Sequence, residues 1–184
     1  MMKRVLSKNK SWKSIEEFNT LPKTLYVIIL LILIILLFSS LYKIDTLEAR
    51  DFKTNEYLKS WQIEEGASFT VAYTHSVQLC PVTETYVIKE GEIILTETYF
   101  ESFGAGLPAS TPYTFEMKNK GFRIYNINEV MNDLVYRTGA ERANHVLIYR
   151  NKNYKFLDFS KPRTGVEFKV SRVPLLAYIL REGL

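Results

Sequence analysis

VTETYVIKEGEIILTETYF, residues 82–100, is the stretch whose reading decides the fold. Val, Ile, Thr, Tyr and Phe dominate it, and Glu90-Gly91 falls at its centre. Such residues fit a pleated, half-buried surface, and a glycine between two such runs supplies the backbone freedom of a tight turn. The stretch is predicted to be a β-hairpin. With a two-residue loop at Glu90-Gly91, Glu84 is expected opposite Glu97.

Strands are expected on both sides of this hairpin. Upstream, SFTVAYTHS alternates, with Phe69, Val71 and Tyr73 on one face and Thr70, Ala72 and Thr74 on the other. Downstream, GFRIYNI follows a KNKG turn, ANHVLIYR and YKFLDF read as a second hairpin around Asn151-Lys152-Asn153, and VEFKV follows KPRTG. Short runs of this kind, separated by turn residues every eight to twelve positions, read as one mainly β domain, a small antiparallel β-sandwich or barrel. In the closing SRVPLLAYILREGL, Pro174 suits a first helical position, and Leu175, Leu176, Ile179 and Leu180 share a face. A short C-terminal helix packed on the sheet is expected, the alternative being a helix that lies on the membrane or on a partner.

The N-terminal part has a different texture. No charge falls between Lys23 and Lys43. A helix over LYVIILLILIILLFSSLY, residues 25–42, rises about 1.5 Å per residue and comes close to the ~30 Å hydrocarbon thickness of a bilayer. The chain therefore divides into a basic tail (1–24), a transmembrane helix (25–42), a linker or poorly defined first strand (43–60) and a β-domain (61–184). The tail carries six basic residues against two acidic ones, which accounts for the whole net charge of +4. By the positive-inside rule the tail is cytoplasmic and the β-domain extracytoplasmic, on a single-pass cell-membrane protein. The apolar run is longer than a secretory signal's, and FSSLYK offers no Ala-x-Ala-like site, so the anchor is expected to be retained. The basic balance is a topology signal. No Lys/Arg stripe remains in the β-domain, and nucleic acid is excluded as a partner.

The chemistry candidates lie between Tyr73 and Pro108. His75 keeps the phase of Phe69, Val71 and Tyr73, and Glu84 keeps that of Val82, Tyr86 and Ile88. Ionisable groups in an apolar phase need partners, because an unpaired buried charge costs several kcal/mol. A His75–Glu84 hydrogen bond would satisfy both. An opposed Glu84–Glu97 pair would need a proton, an Arg, protonated His75 or a cation between the carboxylates. In FESFGAGLP, Gly104 and Gly106 mark either a sharp corner or a place where backbone N–H groups converge on an anion. No Walker-type helix and Lys follow, which rejects nucleotide binding. Cys80 is the only cysteine, so no internal disulfide is possible. Ser76 points away from His75, and His145 reads as a satisfied core histidine. No cofactor, metal set or catalytic constellation is identifiable.

The run FTVAYTHSVQLCPVTETYVIKEGEIILTETYFESFGAGLP resembles the bacterial domain-of-unknown-function family eighteen-fifty. The resemblance rests on Tyr73, His75, Ser76, Val77, Pro81, Val82, Glu84, Tyr86 and the Gly104-Ala105-Gly106-Leu107-Pro108 turn. Gln78 stands where that family often carries Glu. The resemblance extends from Phe69 to Val170. It implies no established activity. It does imply association with TAXI-class TRAP-type transporters, which take up organic anions. The expectation is a non-enzymatic accessory or binding domain on the lipid bilayer. Its partners would be the membrane subunits or solute-binding protein of such a transporter, and its ligand a small organic anion. Candidate functional residues are His75, Ser76, Glu84, Tyr86, Glu97, Gly104 and Gly106. The alternatives are a hydrolase using His75 and Glu84 as acid and base, or a structural envelope protein.

Overall fold

The computed structural model describes residues 22–102, 110–139 and 143–183. It begins with α1 (Lys23–Leu41), which has no buried residue and, among the described residues, is the one helix long and apolar enough to cross a membrane. Eleven strands follow: β1 (Lys43–Asp51), β2 (Tyr57–Gln62), β3 (Ser68–Thr74), β4 (Pro81–Lys89), β5 (Glu92–Phe100), β6 (Thr114–Lys118), β7 (Gly121–Val130), β8 (Leu134–Arg137), β9 (Val146–Tyr149), β10 (Lys152–Lys155) and β11 (Gly165–Pro174). The helix α2 (Leu175–Glu182) comes last. The strands form two antiparallel sheets, one of four strands in the order β2-β1-β11-β8 and one of seven in the order β10-β9-β3-β4-β5-β7-β6.

The apolar phase read from the hairpin is the inner face of the large sheet. Phe69, Val71, Tyr86, Ile88 and Ile93 pack against Leu47, Ala49, Trp61, Val166 and Phe168 of the small sheet. Phe69 and Tyr86 stack with ring centroids 5.1 Å apart, and Phe168 lies 6.3 Å from Phe69. A second cluster (Cys80, Val82, Phe100, Ile124 and Ile127) lies further along the large sheet, and Tyr73 and Leu95 touch both.

Four sequence readings are corrected. Residues 43–60 carry β1 and β2, half of the small sheet, although charges interrupt their apolar pattern. Glu48 is buried on the outer face of β1 because Arg50 and Arg181 pair with it. The Glu90-Gly91 loop is the two-residue turn expected, and both residues have positive φ, 53° and 79°. The register then slips by one: Tyr86 faces Leu95, Thr85 faces Glu97, and Glu84 faces Thr98. Thr96 is the extra residue of a β-bulge, and its hydroxyl donates to the Thr85 carbonyl at 3.0 Å. Glu84 and Glu97 therefore point to opposite faces. The second hairpin turns at Arg150-Asn151, both in left-handed backbone, and the strand expected through Phe159 gives way to a 3₁₀ turn over Phe156–Asp158.

Candidate functional site

Glu84 lies in a lateral row, with Val71 beside it on β3 and Thr98 then Ile124 beyond it on β5 and β7. Glu84 is half-buried, with apolar Val71 on one side, and burial pushes its pKa up. Two tyrosine hydroxyls oppose that shift. Tyr136 of β8 donates to Oε2 of Glu84, Tyr86 of β4 donates to the same oxygen at 3.3 Å, and the two hydroxyls lie 2.6 Å apart. Burial and the Glu84 charge in turn raise the pKa values of Tyr73, Tyr86 and Tyr136. His145, just ahead of β9, stacks on Tyr73 at 5.1 Å and lies 5.7 Å from the Tyr136 ring. It is buried, its Nδ1 has no hydrogen-bond partner among the described residues, and burial lowers its pKa to about 4. Its imidazole is therefore neutral at pH 7.

His75 takes a different course from the one its phase suggested. β3 ends at Thr74, and the chain enters a tight turn in which the Leu79 N–H donates to the His75 carbonyl at 2.9 Å and the His75 N–H to the Cys80 carbonyl at 2.9 Å. The His75 Nδ1 accepts the backbone N–H groups of Gln78 at 3.2 Å and Val77 at 3.4 Å. An accepting Nδ1 carries no proton, so the ring hydrogen sits on Nε2 as a donor. Ser76 is exposed beside it. The Ser102 hydroxyl, at the end of β5, donates to the Gln78 side-chain carbonyl at 3.4 Å. That bond joins the turn at His75 to the point where the chain leaves β5.

The predicted site residues are thus only partly brought together. Glu84 and Tyr86 share one buried network. His75 and Glu84 hold separate partners, and no hydrogen bond joins them among the described residues. Glu97 lies on the opposite face, paired with Arg123 at 2.5 Å, and Arg123 also binds Glu116 at 2.9 Å. Gly104 and Gly106 lie outside the described residues. Tyr136 completes the hydrogen-bonded network and His145 packs against its rings; sequence reasoning missed Tyr136 as a partner of Glu84 and His145 as a neighbour of Tyr73 and Tyr136. The period-two phase that flagged Glu84 could not have found Tyr136, which sits in a four-residue strand of the other sheet.

Chemically, the network holds one half-buried carboxylate using neutral donors. The turn offers the His75 Nε2–H beside the exposed Ser76, donors suited to the oxygens of an anion. No group of three or more His, Cys, Asp or Glu capable of holding a metal ion occurs among the described residues.

Residues 69–156 match the family described as a domain of unknown function (DUF1850). No curated protein and no solved structure matches the chain. The matched stretch ends at Phe156, short of the Val170 limit read from the sequence, and contains the seven-stranded sheet and β8 except for the first residue of β3. Outside it fall α1, β1, β2, β11 and α2.

Proposed function

We propose that the chain is a single-pass, membrane-anchored extracytoplasmic binding domain that assists a TAXI-class TRAP-type transporter, contacting its membrane subunits or its solute-binding protein. The observation that carries this reading is the polarity of the domain. α1 passes at Tyr42 directly into β1, with no loop between helix and sheet. The Glu90-Gly91 hairpin lies at that same end, sharing a recess with Asp45 and Arg172. The His75 turn lies at the other end of β4, nine residues or about 30 Å away. A domain rooted in this way carries the turn, with its Nε2–H donor, at its end away from the bilayer. A small organic anion is the ligand class that suits those donors. The link to the transporter rests on the family resemblance alone, which is association and not mechanism.

The test is recovery of the native protein from membranes in several mild detergents after brief crosslinking. Transporter subunits should be recovered with it, and should be lost or depleted with His75→Ala. Recovery of the protein without any transporter subunit in every detergent would overturn the reading.

A further inference from the structure

The helix α2 is mounted with its polar residues inward. Its Tyr178 hydroxyl receives the Gln62 N–H at 3.3 Å, and Arg181 reaches the buried Glu48 at 3.4 Å. The Glu182 carboxylate accepts from the Ser60 N–H at 2.8 Å, from Lys59 at 3.0 Å and from the Tyr57 hydroxyl. At 100° per residue, Leu176 and Leu180 occupy the side turned away from these contacts, and Leu176 is half-buried. Leu180 is 74 % exposed. A surface helix in water shows the reverse arrangement, with its apolar stripe inward.

We infer that this outward face of α2 rests in the interfacial layer of the bilayer, with Leu176 and Leu180 turned into lipid. The inference rests on the reading of α1 as a membrane span. Its second support is the position of α2. The Leu175 N–H donates to the Tyr42 carbonyl at 2.8 Å, so α2 starts at the level where α1 ends. Tyrosine is a residue of that level, and Tyr42 and Leu41 are both exposed. Leu180 lies five residues on, so even a fully upright α2 raises it only about 8 Å. That is close to the roughly 5–8 Å depth of the headgroup layer on each side. Exposed Lys43, paired across the strands with Pro174, places a positive charge beside the start of α2, where anionic headgroups would meet it. α1 and α2 would together fix the tilt of the domain, where a single span leaves it free to swing.

The test uses the full chain in vesicles of phosphatidylcholine with a quarter phosphatidylglycerol. An environment-sensitive fluorophore is attached in the folded state, where Cys80 is buried, at Leu180→Cys, at Leu33→Cys within α1, or at Thr54→Cys beyond the far end of β1. The Leu180 probe should be blue-shifted, and lipids spin-labelled near the headgroup should quench it about threefold more than the Thr54 probe. The Leu33 probe should be quenched by labels deep in the acyl chains. A Leu180 probe that matches Thr54 while Leu33 is quenched overturns the inference and leaves the span standing. So does a shielded Leu180 probe that lipid labels fail to quench, which would mean that a second copy covers it. An unquenched Leu33 probe overturns both readings. Leu176→Cys gives an independent readout on the same face.

Discussion

The hydroxyls of Tyr86 and Tyr136, carried by different sheets, lie 2.6 Å apart and both donate to the carboxylate of Glu84. This contact ties the two layers together through a polar bridge inside an aromatic core. Tyr136→Phe would leave the carboxylate with only the longer bond from Tyr86. A buried acceptor stripped of its main donor costs about 1–3 kcal/mol. The loss, read by urea unfolding in detergent, should be full at pH 8 and smaller at pH 4, where protonation removes the buried charge. The sign follows from the raised pKa of Glu84. The stability linked to that shift is present below the ordinary value near 4.5 and is lost as pH rises through the higher folded-state value. Glu84→Gln should therefore gain on the native protein at pH 8 and lose that advantage at pH 4.

His145 acts in the opposite sense. Burial lowers its pKa from 6.5 to about 4, so its contribution is present above 6.5 and is lost as pH falls towards 4. A shift of this size corresponds to at most about 3 to 4 kcal/mol. His145→Phe should flatten the loss of stability between pH 6.5 and 4. Equal acid sensitivity of variant and native protein would show that another group controls that window.

What was legible in the sequence was what local pattern can carry. The period-two phase of Val82, Glu84, Tyr86 and Ile88 gave the right inner face, and Glu90-Gly91 gave the right turn. The bulge at Thr96 was hidden, because the extra residue is held by a hydroxyl-to-carbonyl bond and leaves the composition of β5 unchanged. β1 and β2 were hidden for a different reason. Glu48 and Ser60 sit on the outer face of the small sheet, and their burial depends on Arg181 and Glu182, more than 120 positions away. His75 shows the limit of phase itself: it continued the pattern, but the strand stopped one residue earlier and the turn took its Nδ1.

The bulge can be checked by crosslinking. Directly opposed strand residues bring their Cβ atoms within about 5.5 Å, whereas residues on opposite faces cannot be bridged. The pair Glu84→Cys and Thr98→Cys should oxidise to a disulfide, and the pair Glu84→Cys and Glu97→Cys should stay reduced. The reverse result would restore the unbulged register.

Glu182 anchors α2 through the Ser60 amide and hydroxyl, Tyr57 and Lys59. Burial raises its pKa, but these hydrogen bonds outweigh that, and the net shift is downward. Glu182→Ala should cost about 1–3 kcal/mol and speed amide exchange in β2 and α2 selectively. Unchanged exchange at Ser60 would show that Glu182 does not hold the edge of the small sheet.

The most direct measurement of the central claim is the sidedness of the domain. In right-side-out membrane vesicles, a membrane-impermeant maleimide should label Thr54→Cys at once and Ser7→Cys only after the bilayer is opened. Labelling of Ser7→Cys in sealed vesicles with Thr54→Cys protected, or a mature chain released from the membrane and beginning beyond Tyr42, would contradict an extracytoplasmic domain held by α1.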